Sequence, residues 1–404
     1  MKFGALQDLT VIDLTQMLSG PFATQMLADN GANVIKIEPP HGDMIRSAGP
    51  FRNDDHLQSH GAYFQSVNRN KRGLCLDLKS EEGKAVLRRL VRDADILIEN
   101  FRAGVMDKLG LGYESLAAEN PRLVYGALRG FGDPRTADSP YVDWPAFDVT
   151  AQAMGGIMGI TGPDAETPMK IGPGVGDILP GMMLSFGVLA AVHHAKRTGI
   201  GQFVDVAMMD AVLAVCERMV YQHSVNGQVP GPEGNHHPFL CPFGMYPASD
   251  GWVTIAATSD DFFTKLVCAL GAPDLKQDHR FSSVKCRVEN RKDTIDVVSE
   301  LTARFTKAEL SMRLGGKLPF GPVMTVADIF ADPHVKARDM IVAIEQPGSA
   351  APLEITGVPL RMTRTPGGVK ARAPGIGEHG DAILAEAGFS GDEISILRTR
   401  GIVR

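Results

Sequence analysis

The stretch KIGPGVGDILPG places one acid, Asp177, behind Gly172, Gly174 and Gly176 and ahead of the apolar run Ile178–Val192. Two kinds of chemistry fit that spacing. An Asp at a helix start caps it by accepting a hydrogen bond from an N–H two or three residues on, and Pro180 is tolerated in the first turn. The same position suits a nucleophile. The helix dipole keeps a carboxylate ionised there, glycines let a ligand approach the backbone, and an uncrowded carboxylate can attack a thioester or phosphoryl centre. Spacing alone leaves both readings open.

Other residues invite similar pairs of readings. Asp148, in FDVTAQ, is a second acid able to join a site, or an Asx-type turn former. LSGP (18–21), after the first strand signal, reads as a plain turn or as a ligand-binding βα turn; no GxGxxG pattern or Walker lysine accompanies it. NRNKR (68–72) carries three cations in five residues. It reads as a solvated face or as a phosphate clamp. His193 and His194 are helical neighbours about 100° apart and a poor chelate; with Lys196 and Arg197 they complement a helix C-terminus. His236 and His237 lie in a loop without a third ligand of suitable spacing, so no metal is expected. No Gly-x-Ser-x-Gly elbow occurs.

The elements that would position these residues are legible. LTVIDL (9–14), NVIKIE (33–38), RGLCLDL (72–78), ADILIENF (94–101) and RLVYGALRG (122–130) are strand signals separated by amphipathic stretches, with Ser80 as an expected helix cap. This alternation predicts parallel βαβ units. Pro and Gly cluster over 132–176 and 227–244, and DGWVTIAA (250–257) opens a second αβ segment. The chain has 404 residues, 44% of them hydrophobic, enough for two domains. A net charge of −6 and no basic stripe argue against a nucleic-acid partner. Five cysteines, Cys75, Cys216, Cys241, Cys268 and Cys286, include no CxxC pair and suit a reducing, cytoplasmic setting. The start shows no signal-peptide pattern. Ile178–Val192 is shorter than the roughly 20 residues of a membrane span and reads as a core helix.

Taken as a set, VIDLTQMLSGPFATQMLADNGANVIKIEPPHGDMIR, VNRNKRGLCLDLKSEEG, ADILIENFRAG, FDVTAQAMGGIMGITG, GVGDILPG, AKRTGIGQFVDVAMMDA, PFGPV and IGEHGDAIL resemble the class III CoA-transferases. These are the formyl-CoA and carnitine–CoA transferase, or CaiB/BaiF, family. The likeness runs from about residue 9 to the end. It implies an α/β fold: a large Rossmann-like domain with a parallel sheet from residues 1–205 and 343–404, and a smaller α+β domain at 226–323. Residues 206–225 and 324–342 would be linkers. The assembly would be an interlocked homodimer with its active site between subunits.

The resemblance also implies the reaction and its residues. Asp177 would attack an acyl-CoA thioester, carry the acyl group as a mixed anhydride and then CoA as an aspartyl thioester, and pass CoA to a free carboxylic acid. Asp148 would be its catalytic partner, and backbone N–H groups beside the glycines would meet the oxyanions. CoA contacts would come from Leu18, Ser19, Leu76, Asp77, Leu78, Lys79, Asn100, Phe101, Arg102 and Lys108. CoA would be a substrate, with no metal, redox cofactor or membrane partner. Pro39 stands where the family carries a phosphate-gripping arginine, for which Arg46 or another cation would substitute. The glycine-rich loop of formyl-CoA transferases is replaced by GNHHPFLCP, closer to dicarboxylate-using members. The rival readings are an α-methylacyl-CoA racemase-like isomerase and a non-catalytic acyl-CoA binder. Phe147, which cannot accept a proton, stands where a racemase places its histidine.

Overall fold

The computed structural model describes residues 4–404. Six strands, β1 (Thr10–Asp13), β2 (Asn33–Glu38), β3 (Arg72–Cys75), β4 (Ile96–Glu99), β5 (Val124–Arg129) and β6 (Phe203–Ala207), form one sheet. Their order is β3-β2-β1-β4-β5-β6, and every pairing is parallel. Strands covered on both faces read as continuous apolar runs. β4 and β5 are accordingly buried at every position. The chain runs outward from β1 to β3 and then restarts at β4 on the other side. The β1/β4 boundary is therefore the switch point, where the loops after the two strands diverge and leave a crevice.

The chain divides into two compact units. One comprises residues up to 157, 170–226 and 334–404; the other comprises 158–169 and 227–333. In the first, the C-terminal segment returns to the sheet: Ile383, Leu384, Ile394, Leu397 and Ile402 share one core with Ile12, Leu74 and Leu97. Ser80 caps its helix by accepting the Gly83 N–H at 3.0 Å. The helix Val175–Thr198 is long and apolar enough to cross a membrane. Here it buries Leu184, Val188, Ala191, Val192 and Ala195 within its unit. It lies against the helix Ser19–Asp29, where a Cβ on Gly181 would sit 2.6 Å from the Ser19 carbonyl oxygen.

The second unit has a three-stranded antiparallel sheet, Phe243–Ala248, Gly251–Ala256 and Phe320–Pro322. Tyr246, Val253, Ile255, Phe263 and Leu266 form its core. His236 lies here edge-on to Tyr246, and His237 edge-on to Phe243. Among the described residues no three His, Cys, Asp or Glu side chains form a group that could hold a metal.

Candidate active site

The crevice at the β1/β4 boundary is a cleft of about 240 Å³ that Asp177 lines together with Leu18, Ser19, Tyr63, Asn100, Phe101 and Arg102. A second cavity, of about 590 Å³, is lined by Leu76, Asp77, Leu78, Lys79, Phe101 and Lys108. Gln16 and Phe101 line both. Every position that the resemblance assigns to CoA contact borders one of these two adjoining cavities.

Two loops meet at that junction, and their backbones are tied by one side chain. The Gln16 N–H donates to Asn100 Oδ1 at 2.8 Å, and Asn100 Nδ2 donates to the Gln16 carbonyl at 2.8 Å. The Asn100 amide thus holds the loop after β1 to the loop after β4, rather than standing free for a ligand. Glu99, at the end of β4, accepts the Phe101 N–H at 2.7 Å and pairs with Arg129 at 2.5 Å. Arg129 also pairs with Asp133 at 2.7 Å. Arg102 is exposed on the rim.

Asp177 belongs to the first turn of the helix Val175–Thr198, whose N-cap is Gly174. The capping reading is therefore displaced: Asp177 sits three residues into the helix, with its carboxylate in the cleft. The N–H groups of that turn are occupied. Val175 donates to Pro173 at 2.8 Å, Asp177 to Gly174 at 3.1 Å and Ile178 to Gly174 at 2.9 Å, while Gly176 donates to Asp148 Oδ1 at 2.8 Å. The expected oxyanion donors of this turn are thus unavailable. Gly176 is also not opened toward a ligand. A Cβ there would lie 2.5 Å from the Asp148 carbonyl oxygen and 3.0 Å from its Oδ1. The glycine is required by the close approach of Asp148.

Asp148 begins the helix Asp148–Met154. Gln152 Nε2 donates to both its carboxylate oxygens at 3.0 Å, and Gln152 Oε1 accepts the Ile171 N–H at 2.9 Å. Asp148 and Gln152 therefore brace the glycine turn from below. Burial first, and then the charge of Asp148, push the Asp177 carboxyl up to about 7. Asp177 is not held firmly ionised by the helix dipole, as expected from sequence. It is a basic carboxylate, half protonated near neutrality, and a stronger nucleophile when ionised.

Sequence reasoning missed Tyr63, which borders the same cleft. Burial, then the charges of Asp177, Asp148 and Asp43, push its phenol up to about 12, so it keeps its proton and remains a donor. A lone tyrosine in the short helix Ala62–Asn68 carries no motif that could have flagged it.

The cations of NRNKR are neither a solvated face nor a phosphate clamp. Arg69 grips Asp29 at 2.7 Å, Lys71 is fully buried against Asp13 at 2.9 Å, and Arg72 pairs with Glu386 at 2.7 Å. Arg46 is likewise engaged: it donates to Glu38 at 2.7 and 2.6 Å and to the Pro374 carbonyl at 2.8 Å. It does not replace a phosphate-binding arginine at Pro39. The cations on the larger cavity are Lys79 and Lys108, both exposed, with His41 beside them.

Comparison with known proteins places the chain in a family. The succinyl-CoA:mesaconate CoA-transferase of Haloarcula hispanica is 46% identical over 95% of this chain and 97% of that protein. The succinate–glutarate CoA-transferase of Agrobacterium fabrum is 38% identical over 94% of this chain and 95% of that protein. The crystal structure of a CaiB/BaiF family protein from Brucella suis superposes with a TM-score of 0.85 at 38% identity, covering 95% of this chain and 100% of that one. Residues 6–380 match CoA-transferase family III, and with its acid-bearing cleft at the switch point of a parallel sheet the chain belongs to that family.

Proposed function

We propose that this CoA-transferase moves CoA from succinyl-CoA to a five-carbon dicarboxylic acid, with Asp177 as the nucleophile. The supporting observation is the Asp177 carboxylate, raised to about 7, in a cleft that adjoins the larger cavity. The coenzyme's nucleotide would occupy the larger cavity, with its phosphates toward Lys79 and Lys108 and its arm passing Gln16 and Phe101. The acceptor class rests on the relatives, which are named for mesaconate and glutarate.

An Asp177 oxygen attacks the thioester carbonyl, the C–S bond breaks, and CoA leaves as thiolate, giving a mixed anhydride. The thiolate attacks the Asp177 acyl carbon and releases the donor acid, leaving an aspartyl-CoA thioester. The acceptor carboxylate attacks that carbon and expels the thiolate, which then takes the acceptor acyl group and restores Asp177. Each step exchanges acyl species of similar energy. The Tyr63 hydroxyl, on the same cleft as Asp177, would be the donor to the developing oxyanion. Phe147, on the cleft wall, has no group able to exchange an α-proton.

The site would be completed by a second copy of the chain. The helices Met208–Val215 and Glu217–Asn226 leave Leu213, Val215, Val220, Tyr221 and Val225 exposed, as an obligate dimer surface would be in a single subunit. Sedimentation tests this; a monomer with full activity would overturn it. The chemistry is tested by intact mass after mixing with succinyl-CoA and quenching with hydroxylamine. Wild type should trap a hydroxamate and Asp177→Ala none. The same adduct in Asp177→Ala would remove the assignment.

A further inference from the structure

Resting on that reading, the Asp177 intermediates face a competing reaction. If water adds to the acyl carbon of aspartyl-CoA, the C–S bond breaks, CoA leaves as the thiol with one water proton, and the carboxylate re-forms with loss of the other. The enzyme then hydrolyses thioesters. A transferase must keep water from one carbon while admitting a carboxylic acid to it.

Residues 134–147 contain neither helix nor strand, yet they are braced along their length. At one end the Asp133 N–H donates to Asp205 at 3.0 Å. At the other, Asp148 holds Gly176 and Gln152. Between them Ala146 packs on Gly130, where a Cβ would lie 2.4 Å from that of Ala146. Tyr141 packs on Trp144 at 4.7 Å between ring centres, and Phe131 backs both, at 5.5 and 6.3 Å. Trp144 lines the cleft with Asp177 but is left 54% exposed, while Phe131 beneath it is buried. A large ring held in place and half uncovered, in the wall of the cleft that Asp177 also lines, presents its apolar face to whatever fills the cleft.

We propose that Trp144, braced by Phe131 and Tyr141, covers the acyl group on Asp177 and keeps water from the aspartyl intermediates. It is a positioning residue that sets the partition between transfer and hydrolysis. Binding of an acyl-CoA buries its ring; acceptor acids reach the carbon along the polar wall of Tyr63 and Arg102.

The test measures, for succinyl-CoA with and without acceptor, CoA released as free thiol against CoA transferred. Trp144→Ala should raise the hydrolysis-to-transfer ratio about tenfold, the change given by about 1.4 kcal/mol of lost discrimination. Trp144→Phe should restore most of it. A Trp144→Ala enzyme that still forms the hydroxamate-trappable adduct with an unchanged ratio overturns the proposal. Trp252 lies in the other unit, so Trp252→Phe leaves Trp144 as the only tryptophan. Its emission should shift to the blue with succinyl-CoA; no shift, in an enzyme that forms the adduct, also overturns the proposal and decides the matter if Trp144→Ala does not fold. Failure of wild type itself to form an adduct would sink the transfer reading instead.

Discussion

Asp148 and Asp177 form an unequal pair: Asp148 holds the Gly176 N–H at 2.8 Å, and its charge helps to push Asp177 up to about 7. One acid is bound into the backbone and the other is left basic. The arrangement separates the work of building the turn from the work of attacking a thioester.

The rate of adduct formation in a single turnover should therefore rise with pH and level off above about 7, because only the ionised Asp177 attacks. Asp148→Asn removes the neighbouring charge and keeps an oxygen for Gly176, so the midpoint should move to lower pH. A midpoint unmoved by this change would show that Asp148 does not tune Asp177.

The same shift bears on stability. Asp177 has a folded pKa above its unfolded value of 3.8, so unfolding becomes easier as pH rises from about 4 to 7 and stays so above 7. Asp177→Asn should be inactive yet more stable than wild type at pH 8, by about 1 kcal/mol after solvent screening. Thermal unfolding at pH 4 and pH 8 checks this: the gain should vanish at pH 4.

Gly176→Ala places a methyl 2.5 Å from the Asp148 carbonyl oxygen. It should cost about 1–3 kcal/mol and lower adduct formation. Gly172→Ala meets nothing within 4 Å and should be silent in both melting temperature and rate.

Tyr63→Phe removes the proposed donor to the oxyanion while keeping the ring. It should lower kcat by about 10²-fold with little change in KM. A rise in KM alone would make Tyr63 a binding residue.

Lys79→Ala and Lys108→Ala should each raise KM for acyl-CoA and weaken its salt dependence, and spare thioesters of pantetheine, which lack the nucleotide. Arg46→Ala should instead unfold the loop, since it strands the buried Glu38 charge at a cost of about 3–5 kcal/mol. Calorimetry and steady-state kinetics distinguish the two behaviours.

Sequence by itself determined the strand alternation, the Ser80 cap and the candidacy of Asp177, which follow from local periodicity and from short stretches whose residues are neighbours in the chain; the positions that border the two cavities came from the resemblance to the class III CoA-transferases. Tertiary structure alone decided which charges are free. NRNKR and Arg46 look available in the chain and prove to be paired with Asp29, Asp13, Glu386 and Glu38, residues distant in sequence or reached only by folding. It likewise decided that Gly176 serves Asp148 rather than a ligand, and that Tyr63 and Trp144 reach the cleft. Burial, proximity and the pKa of a carboxylate depend on what packs around it, and no local pattern of residue types records that.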